Sequence, residues 1–244
     1  MSNVDFAAVL DRIKTCPGAS HYQLLHSHHT AVSIFSTNYS QLKDLLDFIH
    51  DPRRSLTLFS TDNRAKLQSA LTEVNRLFHN YVASAMTLVD HTRNIVGDLS
   101  VQEGFRQACR ERISADFSDD LLTSFVQDLR NYFLHKGIPK TGTQISYTSE
   151  PKDLSTRVYL DIGRMTAWDG WKSKSRSYIS GASDQLTLLD VVERYADKVR
   201  AFHEWFSQNF KAHHDESLAE LADLQRQWNS GMGSSLAATS QDKP

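Results

Sequence analysis

The sequence predicts a mainly α-helical protein, an up-and-down helical bundle with a small β-hairpin inserted before its last long helix. Two observations support this prediction. Apolar residues recur at helical spacing over most of the chain, and after Pro139 the pattern changes to partly alternating β-branched and aromatic residues. With 244 residues, 40% of them hydrophobic and 23% charged, the chain suits one large domain with a sizeable core.

Three regions are expected along the chain. Residues 1–60 form an N-terminal helical or irregular extension, in which residues 40–50 have the apolar spacing of a short helix. The histidine-rich segment 21–36 is compatible with a helix or with two poor strands. Residues 61–230 form the bundle, and residues 231–244, which are small and polar, form a disordered tail.

The bundle is expected to begin with a long helix over residues 61–96. A later helix is capped by Ser118 in this prediction and ends at Gly137, because a left-handed stop residue favours glycine. The hairpin follows at about 143–165. Helical periodicity then returns at Leu186 and continues into the last helices.

Cysteine content and apolar run length exclude several classes of protein. Cys16 and Cys109 are the two cysteines of the chain, and they match no metal or redox spacing, which fits a reducing cytoplasm. Asp5 and Asp11 interrupt the apolar residues of the N-terminus, so no signal peptide is predicted. No apolar run approaches the ~20 residues that a membrane span requires. We therefore expect a cytoplasmic protein without a membrane partner.

Two groups of histidines raise the question of a metal. They are His26, His28 and His29, and the run His213-His214-Asp215. Neither group has a ligand spacing such as H-E-x-x-H, so we interpret them as surface histidines and predict neither a metal nor a cofactor. The net charge of −2 does not by itself call for a nucleic-acid partner.

The candidate catalytic residues lie in the segment LRNYFLHKGIP, residues 129–139. Asn131 and His135 are one turn apart and share a helix face, and the long side chain of Arg130 can swing toward that face. A histidine in the last turn of a helix can act as a general acid or base, and an arginine beside it can bind phosphate. Together these groups can break a phosphodiester without metal. The alternative is an exposed arginine and a helix-terminal histidine without a catalytic role.

The pattern Arg130-Asn131-x-x-x-His135, late in a helix of an all-α bundle, resembles the R-x4-6-H motif of HEPN domains. The segment FHNYVASAMTLVDHTR, residues 78–93, is similar to the long helix of uncharacterised bacterial HEPN-like proteins. HEPN domains are helical bundles, commonly dimeric, and many are metal-independent endoribonucleases of toxin–antitoxin or anti-phage systems. The resemblance implies that Arg130 and His135 are catalytic and that Asn131 orients or binds the phosphate. Lys136 is predicted to take part in substrate binding.

Residues 136–178 form a locally basic segment, with eight basic and four acidic residues. Aromatic residues interleave with these charges, namely Tyr147, Tyr159, Trp168, Trp171 and Tyr178. Cations beside aromatic faces suit single-stranded RNA. The alternative, which we favour, is that the aromatic residues pack the hairpin against the bundle.

The leading hypothesis is a homodimeric HEPN-like endoribonuclease that leaves 2′,3′-cyclic phosphate and 5′-hydroxyl ends and has a possible antitoxin or operon partner. His135 would act as general acid or base, and Arg130 would stabilise the charge that develops on phosphorus. A two-fold axis beside exposed Tyr132 and Leu134 would bring both motifs into one cleft. The rival hypothesis is a non-catalytic module that binds nucleotide, RNA or a partner protein through the same groove.

Overall fold

The computed structural model describes residues 6–150 and 152–241, with side chains through residue 231. The protein is mainly helical, with one small antiparallel sheet in the order β1-β2-β3. The helices are α1 (Phe6–Thr15), α2 (Pro17–His50), α3 (Pro52–Ser55), α4 (Arg64–Gly97), α5 (Glu103–Phe117), α6 (Leu121–His135), α7 (Ile162–Met165), α8 (Ser173–Ser180), α9 (Leu188–His213) and α10 (Asp215–Gln241). The strands are β1 (Thr141–Ser149), β2 (Lys152–Asp161) and β3 (Gln185–Thr187).

Two helices of 34 residues each, α2 and α4, form the centre of the protein. They pack along each other, and their facing apolar stripes are fully buried, as expected for residues at i, i+3 and i+4. These core residues include Leu42, Leu46 and Ile49 of α2 and Val74, Phe78 and Val82 of α4. The segment 21–36, for which the sequence left helix and strand open, belongs to the continuous helix α2.

Helix α9 packs against both α2 and α6. The buried Tyr81 hydroxyl of α4 donates a hydrogen bond to the Val192 carbonyl of α9 over 2.9 Å. Lys198 of α9 forms an ion pair with Asp120, 3.0 Å away, at the start of α6. The expectation that Ser118 caps α6 was wrong, because Asp120 is the cap and its carboxylate accepts the Thr123 amide.

The small sheet is attached to the C-terminal end of α2. In the hairpin, Thr141 pairs with Leu160 and Ser149 pairs with Lys152, so the predicted hairpin is confirmed. The Val158 amide donates to His50 Nε2 over 3.0 Å, and the Thr156 hydroxyl donates to the Ile49 carbonyl. The first bond satisfies a backbone amide of β2, the second adds a partner to a carbonyl near the end of α2, and together they fix the hairpin to this helix.

A third strand, β3, was not predicted. Its residues 185–187 pair with β2, and α9 begins only at Leu188, two residues after the expected helix start. The predicted disordered tail, residues 231–244, falls largely beyond the side chains that the structure describes and stays a prediction. None of the described helices combines the length and the apolar character needed to cross a membrane.

Two of the histidines that we interpreted as surface residues are in fact buried. His28 of α2 is fully buried and His214 is 1% exposed. His28 Nε2 shares a hydrogen bond of 2.9 Å with Nδ1 of His203 on α9, and the His28 ring stacks on Phe206. Burial lowers the pKa of His28 to about 4 and that of His203 to about 3, so both rings are neutral at pH 7.

The buried histidine pair predicts a loss of stability in mild acid. An unfolded chain takes up protons on both histidines below about pH 6.5, whereas the folded chain cannot do so until pH 4 or lower. The free energy of unfolding should therefore fall between pH 6.5 and pH 4, by up to about 1.4 kcal/mol per pH unit for each histidine. Burial also lowers the pKa of His50 and His214, so their contribution has the same sign.

Urea unfolding at a series of pH values measures this slope. His203→Phe, which keeps the ring volume, should make the slope shallower, whereas the exposed control His26→Gln should leave it unchanged. A free energy of unfolding that stays constant from pH 7 to pH 5 in the unmodified protein would contradict the prediction.

Candidate functional site

The predicted site lies at the C-terminal end of α6. Arg130, His135 and Lys136 are exposed, and Asn131 is half-buried. Residues of α6 that are buried, such as Leu122, Phe125 and Leu129, occupy the other side of the helix. The sequence therefore placed the polar residues correctly relative to the core face of this helix.

Gly137 ends α6 as the sequence predicted. Its φ angle of 104° lies in the left-handed region, which favours glycine. The amides of Lys136 and Gly137 both donate to the Tyr132 carbonyl, over 2.8 and 3.2 Å. A Cβ at position 137 would meet no atom within 4 Å, so backbone conformation rather than space selects glycine there. His135 is consequently the last residue of the helix.

Aromatic packing supports α6 from the side opposite the solvent. The Tyr132 ring stacks on Trp171, with ring centroids 5.4 Å apart and ring planes 14° apart. It also makes an edge-to-face contact with Trp168, with ring centroids 5.3 Å apart. Phe125 lies two turns before Tyr132 on the same helix, and its ring stacks on that of Tyr178 with centroids 4.9 Å apart. The expectation that Tyr132 is exposed was therefore wrong, because its ring is packed among tryptophans. Leu134 is exposed as expected, at 65%.

The same contacts decide between the two interpretations of the aromatic residues after the motif. Trp168 and Trp171 are buried, and they pack the segment between β2 and α8 against α6. The sequence favoured a structural role in packing the hairpin against the bundle; the two tryptophans have a structural role, but they attach the segment that follows the hairpin. Tyr147 differs, since it lies on β1 and is 64% exposed.

A buried carboxylate fixes this segment in place. Asp128 of α6 is 1% exposed and accepts hydrogen bonds from the Lys172 amide (3.0 Å) and the Ser175 hydroxyl (2.7 Å). Asp128 thereby binds the N-terminal end of α8, where backbone amides favour a negative charge. The Lys172 ammonium lies 3.6 Å from the same carboxylate, although its own side chain is exposed.

The position of Lys172 adds a cation that sequence analysis did not assign to the site. Asp128, Asn131 and His135 are spaced by three and four residues, so they form one stripe along α6. A lysine that contacts Asp128 therefore lies on the same side of the helix as Asn131 and His135. No local pattern indicates this, because 44 residues separate Lys172 from Asp128 along the chain.

The motif cations have no acidic partner among the described side chains. Among the residues that the structure describes, no carboxylate forms an ion pair with Arg130, His135 or Lys136. Three other cations of the basic segment, Arg164, Lys172 and Lys174, each pair with an aspartate. Arg157 bonds instead to the neutral amide of Gln144. The end of α6 is thus a small positive surface without a counter-charge.

The described side chains include no group of three or more histidine, cysteine, aspartate or glutamate residues that is arranged to hold a metal ion. Grooves elsewhere in the protein are lined by other residues. One of about 500 Å³ lies between α2 and α9, and Phe35 and His203 are among the residues that line it. The motif residues lie on the exposed surface at the end of α6 and line none of these grooves.

Comparison with models of known protein families, with curated proteins and with solved structures finds no significant match to this chain. The resemblance to HEPN domains therefore rests on the residues quoted from the sequence and stays a prediction.

The role of Asp128 as an anchor predicts a specific loss of stability. Asp128→Ala leaves the Lys172 amide and the buried Ser175 hydroxyl without their partner, so the free energy of unfolding should fall by about 2–3 kcal/mol. Asp119→Ala is the matched control, because the Asp119 side chain is 99% exposed and pairs with Lys174 of the same helix α8. This substitution should lower the free energy of unfolding by less than about 0.5 kcal/mol. Urea unfolding compares the two variants, and an equal cost would contradict the anchoring role.

Proposed function

We propose that the protein is a metal-independent endoribonuclease of HEPN type and that the end of α6 is its active site. One observation carries this proposal. An arginine, a histidine and a lysine lie exposed on the last turns of one helix, and no described carboxylate neutralises them. Exposed cations without counter-ions suit a phosphate backbone, and among them His135 supplies an imidazole, a group that can act as a general acid or base.

The reaction needs proton transfer and charge stabilisation only. The ribose 2′-oxygen attacks phosphorus, and its proton moves to a neutral imidazole. The bond between phosphorus and the 5′-oxygen breaks, and that oxygen takes a proton from an imidazolium. The products are a 2′,3′-cyclic phosphate and a 5′-hydroxyl, with no net change in protons. His135 supplies the imidazole and Arg130 stabilises the charge on the phosphoryl oxygens.

Asn131 and Lys136 bind the substrate in this proposal. Asn131 is half-buried one turn before His135, so its amide is held beside the imidazole and can orient a phosphate oxygen. Lys136 contributes positive charge directly after the helix end, and Lys172 contributes it beside Asp128, two turns before His135. The biological context in the proposal is a toxin or an anti-phage defence component, with an antitoxin or operon partner.

A homodimer completes the site. One copy supplies one imidazole, whereas the reaction uses a base and an acid at the same time. A two-fold axis past the end of α6 places two copies of His135 and Arg130 in one cleft. The apolar side chains of Leu134 and Ile138 flank the motif and are 65% and 54% exposed, which supports a contact between copies at this place.

The first prediction of the proposal concerns metal. Purified protein in excess EDTA should cleave a single-stranded RNA and leave 2′,3′-cyclic phosphate and 5′-hydroxyl ends, because no step uses a metal ion. The matched substrate with 2′-deoxyribose at the cleavage position should resist cleavage there, since it lacks the nucleophile. Mass spectrometry identifies the ends. Activity that disappears in EDTA and returns with magnesium would contradict the mechanism.

The second prediction separates the two motif residues. His135→Ala should lower the turnover rate at least about a hundredfold and leave RNA affinity nearly unchanged, because the imidazole contributes proton transfer. Arg130→Ala should lower both the turnover rate and the RNA affinity, since a guanidinium contacts the phosphate before and during the reaction. Both residues are exposed, so the thermal midpoint should stay within about 2 °C of the parent protein. Gln127→Ala, a change one turn earlier on the same helix, is the control.

The third prediction concerns assembly. Leu134→Lys adds a positive charge to each copy at the two-fold contact, where Arg130 and Lys136 of both copies lie, so it should weaken the dimer at the end of α6 and lower the cleavage rate together. Sedimentation velocity at several concentrations measures the first effect, and single-turnover cleavage the second. Full activity in a protein that has become monomeric would show that one copy suffices and would refute the shared cleft.

A further inference from the structure

The outer edge of β1 is a long strand edge that pairs with no other segment of the described residues. In an antiparallel pair, every second residue of an edge strand directs its amide and carbonyl away from its neighbour. β1 is paired with β2 on one side, and it contacts α4 near its start, where the Thr141 hydroxyl donates to Asn75. No backbone hydrogen bond joins its other side to another described segment.

Natural proteins protect such edges, and beyond its contact with α4 near Thr141 the described β1 strand lacks the usual sequence devices. Charged residues, proline, bulges and short length are the common devices. β1 has nine residues in the sequence TGTQISYTS, without charge or proline, and it pairs with β2 in continuous register. The opposite edge of the sheet, β3, is only three residues long and is protected by that shortness. β2 itself carries charges at Lys152, Asp153, Arg157 and Asp161.

The strand also exposes apolar side chains on one face. Ile145 is 42% exposed and Tyr147 is 64% exposed, and they share a face with their partners Thr156 and Leu154 on β2. Thr156 is 3% exposed and points into the protein, so this face continues the core-facing side of the sheet past the end of the bundle. A strand added beside β1 would cover these side chains.

We propose that β1 pairs with β1 of a second copy of this chain, which joins two three-stranded sheets into one of six strands. Two identical strands related by a two-fold axis pair antiparallel, so the residue on the axis faces its own copy, and residues equally far on either side of the axis face each other. A strand without charge can do this without opposing like charges, which would otherwise destabilise the pair. Ile145 is the central residue of the nine, so the two Ile145 side chains lie together at the axis.

This interface is separate from the proposed contact at the end of α6, and its test does not depend on that contact. If both interfaces form, the protein assembles beyond a dimer, and loss of the β1 interface leaves the α6 dimer. If the α6 contact does not form, loss of the β1 interface leaves a monomer. In either case the mass in solution falls, while ribonuclease activity reports on α6 alone.

The experiment places a charge at the axis. Ile145→Lys sets two ammonium groups opposite each other, and Ile145→Glu sets two carboxylates there. For each variant alone, the dissociation constant of the β1 interface should be about tenfold higher than in the parent protein. Ile145→Thr, which keeps a β-branched neutral side chain, is the matched control and should stay assembled. An equimolar mixture of the lysine and glutamate variants should regain the parent mass, because unlike charges then meet at the axis. Sedimentation velocity measures mass, and circular dichroism verifies that every variant is folded.

Two results would overturn the proposal. One is a parent protein that shows no β1-dependent association, so that the lysine variant and the parent sediment alike at every concentration. The other is a mixture of the two charged variants that stays as dissociated as each alone, since restoration by opposite charges is specific to a β1–β1 contact.

Discussion

The buried carboxylate of Asp128 is the interaction on which the candidate site depends. A charge that is 1% exposed is costly unless it is hydrogen-bonded, and Asp128 obtains its bonds from the start of α8. These bonds attach the segment after the hairpin to α6. They also determine the position of Trp168 and Trp171, which pack on Tyr132. One side of α6 is thereby covered and the other is left to solvent.

This division of α6 has a consequence for chemistry. The covered side holds the helix in a fixed position, because aromatic packing and the Asp128 bonds act along its whole second half. Arg130 lies on the open side. His135 shares a stripe with Asp128 but is exposed, because it lies two turns further on, at the end of the helix. Catalytic groups on rigid elements keep their mutual geometry better than groups on loops. An active site at this end therefore needs little reorganisation when it binds a phosphate, and a second copy can approach it from solvent.

Sequence periodicity predicted the elements whose apolar stripes are uninterrupted. The long helix α4, the stop at Gly137 and the hairpin of β1 and β2 followed from local pattern, and so did the solvent face of α6. The segment 21–36 stayed ambiguous because His21 and His28 occupy core positions of α2. Their burial depends on partners far along the chain, such as Ser217 and His203, and no local pattern shows these partners.

The remaining differences have the same origin in long-range contacts. β3 is three residues long and exists because β2 supplies its partner, so the helical periodicity that begins at Leu186 masked it. Tyr132 was expected to be exposed because its helix position lies beside the polar face, whereas tryptophans from a distant segment cover it. Asp128 and Lys172 were likewise joined by the fold alone. Local helix geometry was thus predictable, and the surroundings of the site were not.

A titration by nuclear magnetic resonance tests the location of the site most directly. The ligand is a short single-stranded oligonucleotide with 2′-deoxyribose throughout, which the proposed mechanism cannot cleave. Backbone amide and imidazole signals are followed at moderate salt. We predict that the largest shifts occur at residues 130–136 and at Lys172, and that Arg130→Ala reduces them. Shifts confined to another surface, such as the groove between α2 and α9, or no shifts at any concentration, would contradict the placement of the active site at the end of α6.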